Sequence, residues 1–251
     1  MGPLWQHYAH SVGTTAGRSR VRVSPDTPWP NRLVLRRGLS MAAARPWNAT
    51  SRDASLRLTR GGRGFLRSCV AVLDELGAPS CFSPPLPEDA QELWTSAGFS
   101  SFLQLRLLRC DLRAGTDRPS VDVATSSDLE GAVAVDAAAF DAFWVMDRAG
   151  LEESLASTKR SEMLVVGDPM RGFAIVGYGP VSSYVQRVAV HPQHQGHGLG
   201  TALLQAAAWR ARRRGSRAMF LNTQVDNDRS LRLYTKLGYE QLAAGLTLLR
   251  T

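Results

Sequence analysis

The feature that most constrains this 251-residue chain is an apolar run that leads, through a glycine-rich loop, into a helical pattern. The apolar run is Val188–Val190, the loop is Gln195–Gly200, and the helical pattern begins at Thr201. The first N–H groups of a helix have no internal partner, and the helix dipole places partial positive charge at that end. Glycine lets a ligand approach the backbone closely. The sequence therefore predicts a strand, a phosphate-binding loop and a helix, in that order.

The spacing of the glycines excludes two common phosphate-binding motifs. Gln195-x-x-Gly198-x-Gly200 lacks the extra residue that the dinucleotide fingerprint has between its last two glycines. A Walker loop is excluded because no Lys-Ser/Thr pair follows. A second motif lies downstream, where the segment Leu221–Asp228 precedes the segment Leu233–Tyr239.

Together, the two motifs resemble the signatures of the GCN5-related N-acetyltransferases (GNAT). That family has a Gln/Arg-x-x-Gly-x-Gly/Ala loop after a strand ending in Val-His-Pro, and later an Asn-bearing loop and a Leu-Tyr-x-x-x-Gly-Phe/Tyr helix end. The resemblance covers roughly Val121 to Thr251, about half the chain. It implies a mixed α/β fold with a mostly antiparallel central sheet, splayed at the cofactor strand and flanked by helices. It also implies acetyl-CoA (coenzyme A) as the cofactor.

Hydrophobic periodicity from Val121 onward predicts an alternation of strands and helices in the order that the resemblance implies. An aromatic loop, Phe143–Met146, separates the first two helices. The predicted helices are Asp128–Phe140, Arg148–Ser157, Gly198–Arg214 and Arg229–Leu237. The predicted strands are Val121–Thr125, Met163–Val166, Gly172–Gly177, Tyr184–Val190, Met219–Asn222 and Leu246–Leu249.

Acetyl transfer needs a polarised thioester carbonyl and a proton for the leaving thiolate. The resemblance implies that backbone N–H groups of the splayed strand polarise the carbonyl and that the pantetheine lies alongside this strand. It makes Tyr234 the candidate general acid, and the alternative is a core tyrosine. Asn227 and Ser230 either contact the cofactor or cap their helix. The predicted cofactor-binding residues are Val188, Ala189, Val190, Gln195, Gly196, His197, Gly198, Leu199, Gly200, Thr201, Asn227, Ser230 and Tyr234.

The general base is less well defined. Many relatives carry Glu on the central strand about where Gln186 stands, and an amide cannot take a proton. Gln186 is therefore a candidate catalytic residue that holds water, and the alternatives are Asp141, Asp147 and Asp226. Phe143, Trp144 and Asp141 are the candidate acceptor-binding residues, with plain core packing as the alternative for the aromatic pair.

Metal chemistry and a covalent acyl-enzyme are not expected. His191, His194 and His197 lie in the turn and loop rather than on one helix face, so no metal site is predicted. No cysteine lies within 121–251, which favours direct transfer in a ternary complex. The three cysteines of the chain have no metal-binding spacing, and a reducing compartment, the cytoplasm, is the simplest expectation.

The basic charge of the chain is concentrated in its front part. Residues 1–120 carry 16 Arg against 9 acidic residues, whereas 121–251 carry 14 Lys and Arg against 13. The composition of residues 1–45 predicts a disordered leader, and a transit peptide or a true start at Met41 are the alternatives.

A faint internal repeat divides the rest of the chain. Ala78–Ser100 aligns with Ala218–Glu240, and Thr59–Gly64 aligns with Gln195–Gly200. Residues 46–112 are therefore predicted to be a smaller, degenerate GNAT-like half, 113–120 a linker, and 121–251 the N-acetyltransferase domain.

The predicted function is acetyl-CoA-dependent transfer of an acetyl group to a primary amine of a small molecule or peptide. One alternative is a CoA-binding regulatory module without turnover, and another is a protein N-terminal acetyltransferase of the type that modifies ribosomal proteins. Nucleic acid is not an expected partner, because the Arg-rich front lacks a reading motif and interleaved aromatic residues. A membrane partner is not expected either, because no stretch approaches 18 apolar residues.

Overall fold

The computed structural model describes residues 21–23, 28–113, 115–116, 119 and 121–251. The chain divides into two compact units. We call residues 107–242 the back unit, and the described residues up to 106 together with 243–251 the front unit.

The helices and strands follow in chain order. The first eight are β1 (Arg22–Val23), β2 (Leu33–Arg37), β3 (Ser40–Pro46), β4 (Ala54–Arg60), α1 (Arg63–Glu75), β5 (Cys81–Phe82), α2 (Glu88–Thr95) and β6 (Ser100–Asp111). The remainder are β7 (Ala124–Thr125), α3 (Leu129–Ala139), α4 (Arg148–Ala156), β8 (Ser161–Val166), β9 (Gly172–Tyr178), β10 (Ser182–Val190), α5 (Leu199–Arg213), β11 (Ala218–Gln224), α6 (Asp228–Lys236), β12 (Tyr239–Gln241) and β13 (Leu246–Arg250).

The back unit is a sheet with helices on both faces. Its strands run in the order β7-β8-β9-β10-β11-β6, and β12 pairs with the last part of β6. Strand β9 is buried along its whole length because its alternate side chains enter two different cores. Ala174 and Val176 pack with α5, whereas Phe173 and Ile175 pack with α3 and α4. The predicted antiparallel meander over β8, β9 and β10 is confirmed.

The front unit has a sheet that buries one face under α1. Strands β1 to β4 form an antiparallel meander, and the order continues through β5 and β13 to the first part of β6. Helix α1 begins after two glycines and places Phe65, Leu66, Cys69 and Leu73 in the core. The sheet contributes alternate leucines of β2 and β4 to the same core, as period-two patterning requires.

The predicted disordered leader is wrong over residues 33–45. Strands β2 and β3 form a hairpin in which Leu33, Leu35 and Ala42 are fully buried. Arg36 and Arg37 lie at the turn-proximal end of β2, while the apolar face of the strand enters the core. Met41 lies inside β3, so a chain starting there would lack β2 altogether. Residues 1–20, on which the transit-peptide alternative depends, lie outside the described residues.

We expect Leu35→Ala to lower the free energy of unfolding by about 2–5 kcal/mol, because it leaves a cavity in the front core. Leu39 in the same hairpin is 78% exposed, so Leu39→Ala is the matched control and should change stability by less than about 0.5 kcal/mol. Chemical denaturation followed by circular dichroism measures both variants. Equal stability of the two variants would show that the hairpin is not part of the folded core.

The predicted domain boundaries, 46–112 and 121–251, also need correction. Strand β13 pairs with the first part of β6, and Leu249 lies in the front core, so the C-terminal residues belong to the front unit. Leu108 and Leu112 lie in the back core, so the back unit begins well before residue 121. A strand joins the edge where its backbone can pair, and sequence position alone does not specify that edge. Of the predicted linker 113–120, residues 114, 117, 118 and 120 lie outside the described residues.

The two units repeat one local order of elements. Glycine precedes α1 and α5 as the N-cap residue, and the strand before each helix pairs in parallel with the strand after it. Trp94 and Phe99 stack edge to face at 4.9 Å, at the positions that align with Tyr234 and Tyr239, which lie 5.9 Å apart. The front unit is therefore a partial second copy of the fold of the back unit.

Candidate functional site

The candidate site lies where two parallel strands of the back unit diverge. Strands β10 and β11 pair only at Ser182, Ser183 and Tyr184, opposite residues 218–220. Beyond Tyr184, β10 continues to Val190 and stays paired with β9 on its other edge. The edge of β10 that faces β11 is thus unpaired with any described strand along Val185–Val190, which confirms the predicted splay. An open strand edge offers N–H and C=O groups to an extended ligand.

A bulge interrupts β10 at the start of this opening. Val185 is paired with Val176 and Arg187 with Ile175, so Gln186 is the extra residue. A bulge kinks its strand and re-aims the neighbouring side chains. The predicted catalytic residue Gln186 therefore lies at the bulge, half-buried, beside the open edge.

The loop after β10 is tied down by side chains. Residues Pro192–His194 form one 3₁₀ turn, and the Nδ1 atom of His191 accepts a hydrogen bond from the N–H of Gln193 at 3.3 Å. Gln195 donates from Nε2 to the carbonyl oxygen of Val190 at 2.9 Å, and its Oε1 atom accepts from Arg229 of α6. The Gln195 side chain, predicted to bind cofactor, thus holds the loop in place.

Six consecutive N–H groups, those of residues 196–201, have no acceptor within the part of the chain that the structure describes. The first bond of α5 runs from the N–H of Ala202 to the carbonyl oxygen of Gly198 at 3.0 Å. No side chain caps this end, and its first turn holds no acidic residue. Gly196 and Gly198 have φ values of +84° and +79°, which other residues rarely adopt. This arrangement suits an anion such as a diphosphate.

Gly200 has a different role from the other two glycines. A Cβ atom there would lie 3.3 Å from Cδ2 of Leu233 and 3.9 Å from Cγ2 of Val190. Gly200 therefore allows α5 to pack closely against α6 and β10. At Gly198, by contrast, an added Cβ would meet nothing within 4 Å.

Tyr234 lies on α6 and is 5% exposed. Its ring belongs to the core under α5, and Ser230 lies one turn earlier on α6. Burial raises the pKa of Tyr234, while the Ser230 side chain and the positive charge of Arg187 act in the opposite direction. The phenol is therefore protonated at neutral pH and can donate a proton. The neighbouring Tyr239 hydroxyl is buried and has no hydrogen-bond partner among the described residues.

Asn227 acts as the N-cap of α6. Its Oδ1 atom accepts from the N–H of Ser230 at 3.2 Å, and its Nδ2 atom donates to Thr223 and Gln224 at the end of β11. The geometry thus favours the capping alternative for Asn227, which fixes where α6 begins beside the opening.

Residues 140–147, between α3 and α4, form what we call the acceptor loop. Asp141 accepts hydrogen bonds from the N–H groups of Phe143 and Trp144, both at 3.0 Å. The two aromatic rings stack edge to face at 5.0 Å and are half-buried. Asp147 caps α4 by accepting from the N–H of Gly150 at 2.8 Å. Of the candidate bases, Asp141 thus holds a turn, Asp147 caps α4, and Asp226 is exposed beyond β11.

Sequence reasoning missed an ion pair beside the bulge. Arg187 and Asp136 are 9% and 0% exposed, and their side chains meet at 2.7 Å. The available signal was a carboxylate within the apolar stretch 131–139 of α3, beyond its first turn, and an arginine within a largely apolar part of β10. Charged residues are almost never fully buried unless they are paired.

Cys110 was also missed, because it precedes the predicted start of the catalytic domain. It lies in the back unit, opposite Tyr239 in the β6–β12 ladder. Burial and the neighbouring Asp111 raise the pKa of the Cys110 thiol. Since the thiolate is the nucleophile, this thiol is poorly suited to forming an acyl-enzyme.

The described residues hold no group of three or more His, Cys, Asp or Glu side chains that is arranged to bind a metal ion. The rings of His191 and His194 lie 5.8 Å apart at the loop. No helix among the described residues is both long and apolar enough to cross a membrane.

Comparison with known families gives one match. The model of the acetyltransferase (GNAT) family matches residues 146–239, which run from the end of the acceptor loop to Tyr239. The comparison with curated protein sequences gives no match.

Solved structures match a much larger part of the chain. A tandem GNAT protein from the clavulanic acid biosynthesis pathway is 17% identical with a TM-score of 0.59, and the match covers 90% of this chain and 84% of that one. A GCN5-related N-acetyltransferase from Sphaerobacter thermophilus is 15% identical with a TM-score of 0.53, covering 88% and 80%. One from Kribbella flavida is 16% identical with a TM-score of 0.51, covering 92% and 90%. At these identities the likeness shows a shared fold.

Proposed function

We propose that this chain, whose residues 146–239 match the acetyltransferase (GNAT) family model, transfers an acetyl group from acetyl-CoA to a primary amine. The observation that carries the proposal is the open edge of β10 next to six N–H groups at the start of α5 that have no acceptor among the described residues. An elongated ligand with a diphosphate at its middle would use both features at once.

Residues of the back unit fit such a ligand. The N–H groups of residues 196–201 would hold the diphosphate, with the helix dipole adding partial positive charge. The open edge at Val188–Val190 would pair with the amide-containing arm, as an added strand does. Bound acetyl-CoA supplies the acetyl thioester.

Two groups of this chain would act on the reacting atoms. Backbone N–H groups on the open edge of β10 would polarise the thioester carbonyl. Tyr234 would donate its phenolic proton to the leaving sulfur, which its raised pKa permits because the group stays protonated. Gln186 cannot accept a proton, so at the bulge it would bind water that carries the amine proton to solvent.

The test is transfer of isotopically labelled acetyl from acetyl-CoA to a panel of amines, including peptides with free N-termini, followed by mass spectrometry. We expect labelled product and CoA release, with a rate that rises with pH through the pKa of the amine if solvent takes its proton. Calorimetry should give one CoA per chain, because the front unit has a much shorter connection at the corresponding place. Gly61 and Gly62 alone join β4 to α1, whereas residues 191–198 join β10 to α5.

Two outcomes would contradict the proposal. Tight CoA binding without transfer to any amine would favour the regulatory-module alternative. A stoichiometry of two CoA per chain would show that the short connection before α1 also forms a cofactor loop.

A further inference from the structure

The ion pair between Asp136 and Arg187 joins the acceptor loop to the bulged strand. The guanidinium of Arg187 binds Asp136 in bidentate fashion, with Nε–Oδ2 and Nη2–Oδ1 distances of 2.7 and 2.8 Å. Asp136 belongs to α3, and Arg187 follows the bulge of β10 directly. The pair thus links α3 to the strand that borders the opening.

Both partners also contact the backbone of the acceptor loop. Arg187 donates from Nη2 to the carbonyl oxygen of Trp144 at 2.7 Å, and Asp136 accepts from the N–H of Met146 at 2.7 Å. The guanidinium also lies 3.4 Å from the ring centroid of Phe140, where the loop starts. The start, middle and end of the loop are therefore attached to one ion pair.

Stability alone does not explain such a pair. Removing two charges from water is costly. Replacing a buried ion pair by apolar residues of similar volume often leaves a protein equally stable or more stable. What the pair supplies is geometry, because a bidentate guanidinium–carboxylate contact has a defined orientation. The positive charge of Arg187 also acts on the candidate acid, because it opposes the effect of burial on the pKa of Tyr234.

We propose that Arg187 and Asp136 are positioning residues that hold the acceptor loop at the distance from β10 that amine binding requires. This inference rests on the proposed function. The amine-binding side of the site would then depend on the pair, whereas the diphosphate-binding loop, which neither residue contacts in the described structure, would not.

The test compares three variants of the full chain. Arg187→Met removes the contacts to Asp136 and Trp144, Arg187→Lys keeps the charge but loses the bidentate geometry, and Glu162→Gln is the control. Glu162 pairs with Arg210 at 3.2 Å in the same unit and touches no residue of the acceptor loop. Three quantities are measured: the KM for the amine, the Kd for CoA, and hydrogen exchange of the amides in residues 141–147.

We expect Arg187→Met to raise the KM for the amine by about 10- to 100-fold, since misplacement by about 1 Å can cost that much. Its loop amides should exchange faster, and its Kd for CoA should stay within about twofold of wild type. The KM and the loop exchange of Arg187→Lys should lie between those of Arg187→Met and wild type. Glu162→Gln should leave all three quantities unchanged.

An unchanged KM and unchanged loop exchange in both Arg187 variants of an active enzyme would overturn the inference. A purely structural role would lower the melting temperature of Arg187→Met and Arg187→Lys without raising the KM. Failure of the proposed function is distinguishable, because in that case wild type itself transfers no acetyl group.

Discussion

We expect Tyr234→Phe to lower kcat on the order of 10²–10⁴-fold, the range typical of a lost general acid, while CoA affinity should stay near wild type. The ring remains in its buried position, so packing is kept and only the hydroxyl is removed. Loss of the buried hydroxyl should change stability by about 1 kcal/mol. Steady-state kinetics with the best acceptor, together with calorimetry, separate these effects.

The matched control is Tyr178→Phe. Tyr178 lies in the same unit and is 6% exposed, and its hydroxyl donates to Glu162 at 3.2 Å. This variant loses a buried hydroxyl of the same kind at a distance from the opening, so kcat should be unchanged. If both variants lose kcat equally, or if Tyr234→Phe keeps full kcat, Tyr234 is a core residue rather than an acid.

The second large effect is expected at the start of α5, where Gly198→Glu should weaken CoA binding by about 10- to 100-fold. The substitution adds a side chain and a negative charge next to the N–H groups that would hold the diphosphate. Losing one hydrogen bond to a charged group costs about 1.5–3 kcal/mol, which corresponds to roughly this range of affinity.

Gly215→Glu controls for backbone strain. Gly215 follows the other end of α5 with a φ of +90°, close to the +79° of Gly198, and an added Cβ meets nothing within 4 Å at either position. Both variants should lose similar stability, but only Gly198→Glu should lose CoA affinity. Equal CoA affinity in the two variants would exclude the loop as the diphosphate site.

Gly200→Glu is not a suitable test of the diphosphate site. Its Cβ would meet Leu233 and Val190, so the added side chain would disturb the packing of α5. A loss of affinity there would not distinguish a lost phosphate contact from a displaced helix.

Features encoded within a few neighbouring residues could be predicted from the sequence. The glycine-rich loop, the helix after it and the strand before it are in their predicted places, because positive φ and hydrophobic period are local properties. The position of Tyr234 on the last helix of the back unit follows from the same local spacing.

Features that depend on a distant partner were decided only by the tertiary structure. The bulge at Gln186 exists because β10 must pair with β9 in a particular register. Asp136 and Arg187 are 51 residues apart and become a buried pair only when α3 packs on β10. Strand β13 joins the front unit, and the hairpin β2–β3 folds despite its arginines, because pairing edges and buried faces are properties of the assembled sheet.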